Sequence, residues 1–229
     1  MSIYNAYQAR LIDYSEEEYR KFHVKLNPGI ENILGVRSPN MKALAKELAK
    51  DNWREYFAEN EHKYFEETLL QGLIIGFLRL PIEEIMPEIR AFLPHLNGWA
   101  LCDSFCAGLK IARKEPEAFW NLIRECSESE KPYYIRFSVV MMLANFVSDE
   151  YIDEILQRLG AVSSDEYYVK MGVAWAVSVC FIKQRDKTLE FLKESCPLEK
   201  ETYNKSIQKI RESFRVSEKD KELLRGMKL

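Results

Sequence analysis

Apolar residues recur at the helical period along nearly the whole chain, and one helix pattern returns at a fixed offset. Tyr133-Tyr134-Ile135-Arg136 leads into Phe137-Ser138-Val139-Val140, and Tyr167-Tyr168-Val169-Lys170 leads into Met171-Gly172-Val173-Ala174. The offset between Tyr133 and Tyr167 is 34 residues, a spacing typical of helix-pair repeats. Both copies read as two tyrosines, an apolar residue, a cation and then a run that is apolar almost all round. Such a helix must be covered on several sides, so it belongs to an inner layer. Amphipathic segments such as 150–159 would form the outer layer. Stacked helix pairs curve, and the inner layer then lines a concave face. The spacing predicts helices at 3–13, 15–26, 38–50, 61–79, 82–94, 98–111, 116–127, 132–147, 150–159, 166–183, 186–194, 198–213 and 217–225, with no alternating strand. Ser38-Pro39 reads as a helix start, the serine able to cap and the proline in the first turn. Pro81, Pro116, Pro132 and Pro197 mark further starts. The expected fold is all-α, a HEAT-like superhelix forming one domain over residues 1–229.

Several functional classes find no support. No run of 18 uncharged apolar residues exists, and the segment opening Met1-Ser2-Ile3-Tyr4-Asn5 lacks the basic start and apolar stretch of a signal peptide, so a cytoplasmic location is expected. The five cysteines are odd in number and include no Cys-x-x-Cys pair. They read as buried thiols in a reducing compartment, Cys102 and Cys106 sharing one helix face. No zinc spacing, Gly-rich phosphate loop or Ser/His/Asp arrangement occurs, and His23, His62 and His95 are scattered along the chain. No metal or cofactor is implied. Gly72-x-x-x-Gly76 lies in an apolar helix, where it permits close packing. The net charge of −3 does not by itself suggest a nucleic-acid partner, although a basic groove on an acidic body would give the same sum.

Four residues stand out chemically. Trp99 and Asp103 are one helical turn apart and share a face. A carboxylate beside an indole on an otherwise apolar helix is unusual, since aspartate is rarely buried unpaired. Arg136 heads one apolar helix and Trp175 sits in the middle of another. On spacing alone the favoured reading is that Asp103 bonds a neighbouring helix or Arg136 and that Trp175 is core. A cation near the N-terminal end of each inner helix would project to the rim, where a phosphate backbone could meet it.

Together these residues resemble the AlkD-type DNA alkylation repair family over almost the whole chain. Leu34-Gly35-Val36-Arg37-Ser38-Pro39 is similar to the family's Gly-x-x-Thr-Pro helix start, and Trp99 with Asp103 to its Trp-x-x-x-Asp pair. Arg136 matches the arginine before its apolar helix. Tyr167-Tyr168-Val169-Lys170 with Trp175 is similar to its aromatic segment leading to Gly-Trp, and Lys205 and Lys209 to its basic C-terminal helix. The chain departs from the pattern at Ala100, where a second aspartate is common, and at Ser178, where an arginine is common.

The resemblance implies a DNA glycosylase that excises positively charged N3- and N7-alkylpurines from duplex DNA, without flipping the base and without a metal, acting as a monomer. It implies Asp103 as the carboxylate that stabilises the sugar cation, Trp99 and Trp175 as indoles against the deoxyribose, and Arg136 on the adjoining phosphate. Lys170, Lys205 and Lys209 would bind the DNA backbone. The alternative is a catalytically silent HEAT-like scaffold that binds DNA or a protein.

Overall fold

The computed structural model describes residues 2–193 and 196–229, which are α-helical with short connections. Among the described residues there is no strand; Ser15 and Val36 form an isolated bridge. The all-α, helical-repeat reading holds. The chain resolves into two compact units, Met1–Ile111 and Ala112–Leu229.

The first unit contains α1 (Ile3–Asp13), α2 (Glu17–Leu26), α3 (Ser38–Leu48), α4 (Trp53–Glu59), α5 (Phe65–Phe77), α6 (Ile82–Phe92) and α7 (Trp99–Gly108). Helix α5 packs on both α3 and α7. It is buried on nearly every side, from Phe65 through Ile75. Two glycines permit close packing, Gly76 against α7 and Gly72 against the end of α6. A Cβ on Gly76 would lie 3.0 Å from the carbonyl oxygen of Gly108, and one on Gly72 would lie 3.0 Å from the Phe92 ring. The close-packing reading of this glycine pair is therefore correct. Glu66, 1% exposed, turns its carboxylate to the backbone of the preceding loop. It accepts from the N–H groups of Leu34 at 2.9 Å, Gly35 at 2.8 Å and Val36 at 3.3 Å. Those bonds satisfy donors that would otherwise be buried without partners.

The second unit contains α8 (Pro116–Ser127), α9 (Pro132–Met141), α10 (Ile152–Ala161), α11 (Tyr167–Lys183), α12 (Arg185–Lys193), α13 (Lys200–Glu212) and α14 (Glu218–Arg225). Helix α11 packs between α9 and α13, as the inner-layer pattern predicts, and also touches α10 and α12. Arg185 and Asp220, with Nε–oxygen distances of 3.0 Å, tie α12 to α14.

Several boundaries differ from the sequence expectation. The helix expected at 61–79 begins at Phe65, because His62 has a φ of 53°, in the left-handed region that interrupts a helix. Helix α4 was not expected. It has seven residues and follows Asn52, itself left-handed with φ 62°, so its period is too short to read. The helix expected at 132–147 changes to a π-helical turn over Met142–Phe146. Ser38 opens α3 without a side-chain cap. Residue 194, the last of the expected 186–194 helix, lies outside the described residues. Cys102, Cys106, Cys126 and Cys180 are buried thiols outside any disulfide, and Cys196 is half-buried.

Because the backbones of α5 and α7 meet at Gly76, Gly76→Ala should destabilise the protein by about 1–3 kcal/mol, the usual cost of overpacking. Urea unfolding measures it; an unchanged midpoint would mean that the helices can separate without cost.

Candidate functional site

Helix α7 opens at Trp99 after Gly98, whose extended backbone precedes the first turn without a side-chain cap. The indole N–H of Trp99 donates to the carbonyl of Leu26 at 2.9 Å. That carbonyl ends α2, so the bond satisfies a group that the helix leaves open and fixes the indole. Ala100, Leu101, Cys102, Phe105 and Cys106 are buried, whereas Trp99 and Asp103 are only half-buried. The pair one turn apart thus occupies the part of α7 that the first unit leaves open to solvent. The departure at Ala100 falls on the buried side.

In the second unit Trp175 is 37% exposed, although Ala174 and Ala176 beside it are fully buried. A core role for this tryptophan is therefore excluded. Tyr167, on the same line of α11 two turns earlier, is also exposed. Ser178, the second departure, is buried.

Arg136 corrects the expectation of a rim cation. It is 5% exposed, and its Nη1 donates to the carbonyl of Tyr168 in the first turn of α11. The guanidinium lies over Gly172, where a Cβ would come within 3.2 Å of Nη1. Its immediate effect is to hold α9 against the start of α11.

Lys170 is half-buried among three carboxylates: Glu199 at 3.1 Å, Glu201 at 3.4 Å and Asp165 at 3.7 Å. The Glu199 carboxylate, with Glu201 adding to it, raises the lysine above its ordinary pKa. Lys205 and Lys209 are half-buried on α13, and the Lys205 ammonium donates to Gln208 at 3.3 Å.

Two of the three histidines, His62 and His95, meet in space. His23 stacks on Tyr19 and meets the Phe65 ring edge-on, with centroids 5.2 Å apart. The His62 and His95 rings stack at 3.8 Å and 14°, and His62 Nδ1 lies 3.0 Å from Thr68 Oγ1. His62, Phe65 and Thr68 line a cleft of about 270 Å³ with Asn32, Lys63 and Asn97. Periodicity could not reveal this grouping, because residues of the 27–37, 60–64 and 95–98 connections join the first turns of α5 and α7 in it rather than one helix face. Among the described residues no group of three or more His, Cys, Asp or Glu side chains is arranged to hold a metal ion. No described helix is long and apolar enough to cross a membrane.

An all-α repeat fold with a half-exposed Trp-x-x-x-Asp pair and a solvent-facing tryptophan on an otherwise buried helix defines a narrow class of protein. The chain matches the family model described as DNA alkylation repair enzyme over residues 7–213, and it belongs to that family. No curated protein matches the sequence.

Burial lowers the His62 pKa to about 4, and the neighbouring His95 adds to the effect. The unfolded chain, with an ordinary imidazole, therefore binds the proton more tightly between the two values. Stability should fall as pH drops from roughly 6.5 to about 4 and then level off with respect to this group. His62→Asn keeps a residue that tolerates positive φ and should flatten that part of the profile. Urea midpoints across this pH range test it, and parallel profiles for the two proteins would refute it.

Proposed function

We propose that the protein is a metal-free DNA glycosylase that releases positively charged N3- and N7-alkylpurines from duplex DNA. The observation that carries this reading is that Trp99 and Asp103 are half-buried and Trp175 exposed on helices that otherwise bury most of their apolar residues. Exposed indoles and a carboxylate are what the reaction needs. Alkylation of a ring nitrogen leaves the base cationic and already a good leaving group, so no general acid is required. The bond breaks toward a cationic sugar. Asp103 stabilises that charge and orients the attacking water. Trp99 and Trp175 pack their π-faces on the deoxyribose and attract the same developing charge. Lys205 and Lys209 contact phosphates without reading sequence. Arg136, buried against the backbone, acts as a positioning residue, setting the first turn of α11, which carries Trp175 two turns on. Base flipping is not part of the mechanism.

Release of 7-methylguanine and 3-methyladenine from methylated duplex tests this reading. Asp103→Asn should slow release by about 10²-fold, the usual cost of losing one preorganised electrostatic group. The variant must melt like the wild type. Equal rates for the two proteins would remove Asp103 from the mechanism.

A second reading, a scaffold that binds without excision, is favoured by one observation: Lys170 is matched by three carboxylates and has little charge to offer a phosphate. The double change Glu199→Gln with Glu201→Gln should release that lysine and raise duplex affinity several-fold at low salt, with a steeper salt dependence. If affinity and salt slope are unchanged, Lys170 does not face the DNA.

A further inference from the structure

We propose that the cleft of the first unit is a binding site for a guanine nucleotide unit, separate from the Trp99–Asp103 pair. Its volume of about 270 Å³ is just below the usual range for ligand pockets, roughly 300–1,000 Å³, and suits something of nucleotide size. Most of the surface lining it is polar; Phe65 and Leu101 are buried, and the half-buried His62 ring is fixed against His95. A ring held in this way offers a stacking platform, which favours any nucleobase. The rim supplies the selectivity. Asn32 and Asn97 are exposed amides, each offering a donor and an acceptor to a base edge. Glu31 is an exposed carboxylate, and a carboxylate accepts two parallel hydrogen bonds from the N1–H and N2–H donors of guanine. No other common nucleobase presents that pair of donors. Lys63, exposed on the same rim, is the counterpart for the phosphate.

The backbone fixes the position of that ring. His62 is held at a φ of 53°, a left-handed conformation that histidine adopts more readily than most residues. Here the Asn60 side chain accepts from the His62 N–H at 3.1 Å and Thr68 fixes the ring. Across the cleft Gly29 is also at positive φ, and a Cβ there would meet nothing within 4 Å. The cleft is thus open on that side. Burial keeps His62 neutral at physiological pH, so the stacked histidines carry no mutual repulsion.

The same chemistry serves a free nucleotide or an unpaired guanine in a DNA strand. It is independent of excision, since it uses neither Asp103 nor Trp175. Saturation-transfer NMR of the full chain with dGMP tests it directly. Transfer to the guanine and sugar protons is expected, with dTMP binding more weakly. Asn97→Ala and Glu31→Gln, both at exposed positions, should each weaken dGMP binding, and His62→Asn should weaken it roughly ten-fold, the order of one lost base–aromatic stack. Thermal melting confirms that each variant is folded. A thymine oligomer with one guanine binding more tightly than dGMP would assign the site to a strand; the reverse order would assign it to a free nucleotide. Absence of transfer at millimolar dGMP, full displacement by inorganic phosphate alone, or unchanged binding by folded Asn97→Ala and Glu31→Gln would each overturn the proposal. Base release is measured separately, so loss of either activity leaves the other readable.

Discussion

The arrangement of the first unit depends on how closely α5 and α7 approach. Two helices normally pack with side chains between them and axes 8–10 Å apart. At Gly76 the spacer is missing, and the backbone of one helix lies almost against the carbonyl of Gly108 on the other. Helix α7 is therefore fixed by backbone contact, which has less give than a contact between flexible side chains. Its buried side, from Leu101 to Cys106, is committed to the core, and this determines which residues remain outside. Trp99 and Asp103 are among those residues, with Ser104 and Ala107. The Trp99 bond to the end of α2 then removes the freedom left to the indole.

The second unit uses charge where the first uses glycine. Arg136 is buried beneath the start of α11, a costly position for a guanidinium without acceptors. The carbonyl of Tyr168 supplies one, and Gly172 leaves the space that the group fills. Helix α11 is thereby pinned at its first turn and packed along its length between α9 and α13. A tryptophan on such a helix has a defined position even when it faces solvent. That is the property required of an indole meant to meet a sugar rather than to fill a core.

The helices could be read from the sequence because the hydrophobic period reports burial directly, and burial of α5, α9 and α11 is nearly all-round. The exceptions share a cause. Asn52 and His62 take positive φ, and no pattern of apolar residues encodes a backbone reversal. Helix α4 and the late start of α5 follow from those two residues. At the candidate site, that Trp99 and Asp103 share a face could be read from their spacing, but whether that face is buried could not, and neither could the burial of Arg136. A cation at the head of an apolar helix looks the same in sequence whether it points outward or folds back over a glycine. The ion pairs of Lys170 were hidden for a related reason, since Glu199 and Glu201 are some thirty residues away. The aromatic group around Phe65 was hidden because loops bring it together.

The acidic balance of the chain bears on the chemistry as well as on binding. A protein that grips DNA through a dense field of lysines raises the local positive potential. On the proposed mechanism that potential would oppose the step to be catalysed, because the sugar becomes cationic as the bond breaks. A carboxylate stabilises that charge only if nearby cations do not cancel it. In the second unit, the lysine nearest the start of α11 is neutralised by three carboxylates, and the arginine beside it is buried against backbone. The chain carries 36 acidic and 33 basic residues, so its overall field does not penalise a developing cation. The cost is weaker attraction to phosphate. For a substrate whose damaged base is already positive, bond breaking only moves that charge from base to sugar, so the overall field acts on both states alike and the differential stabilisation required for rate acceleration has to come from a carboxylate placed at the sugar.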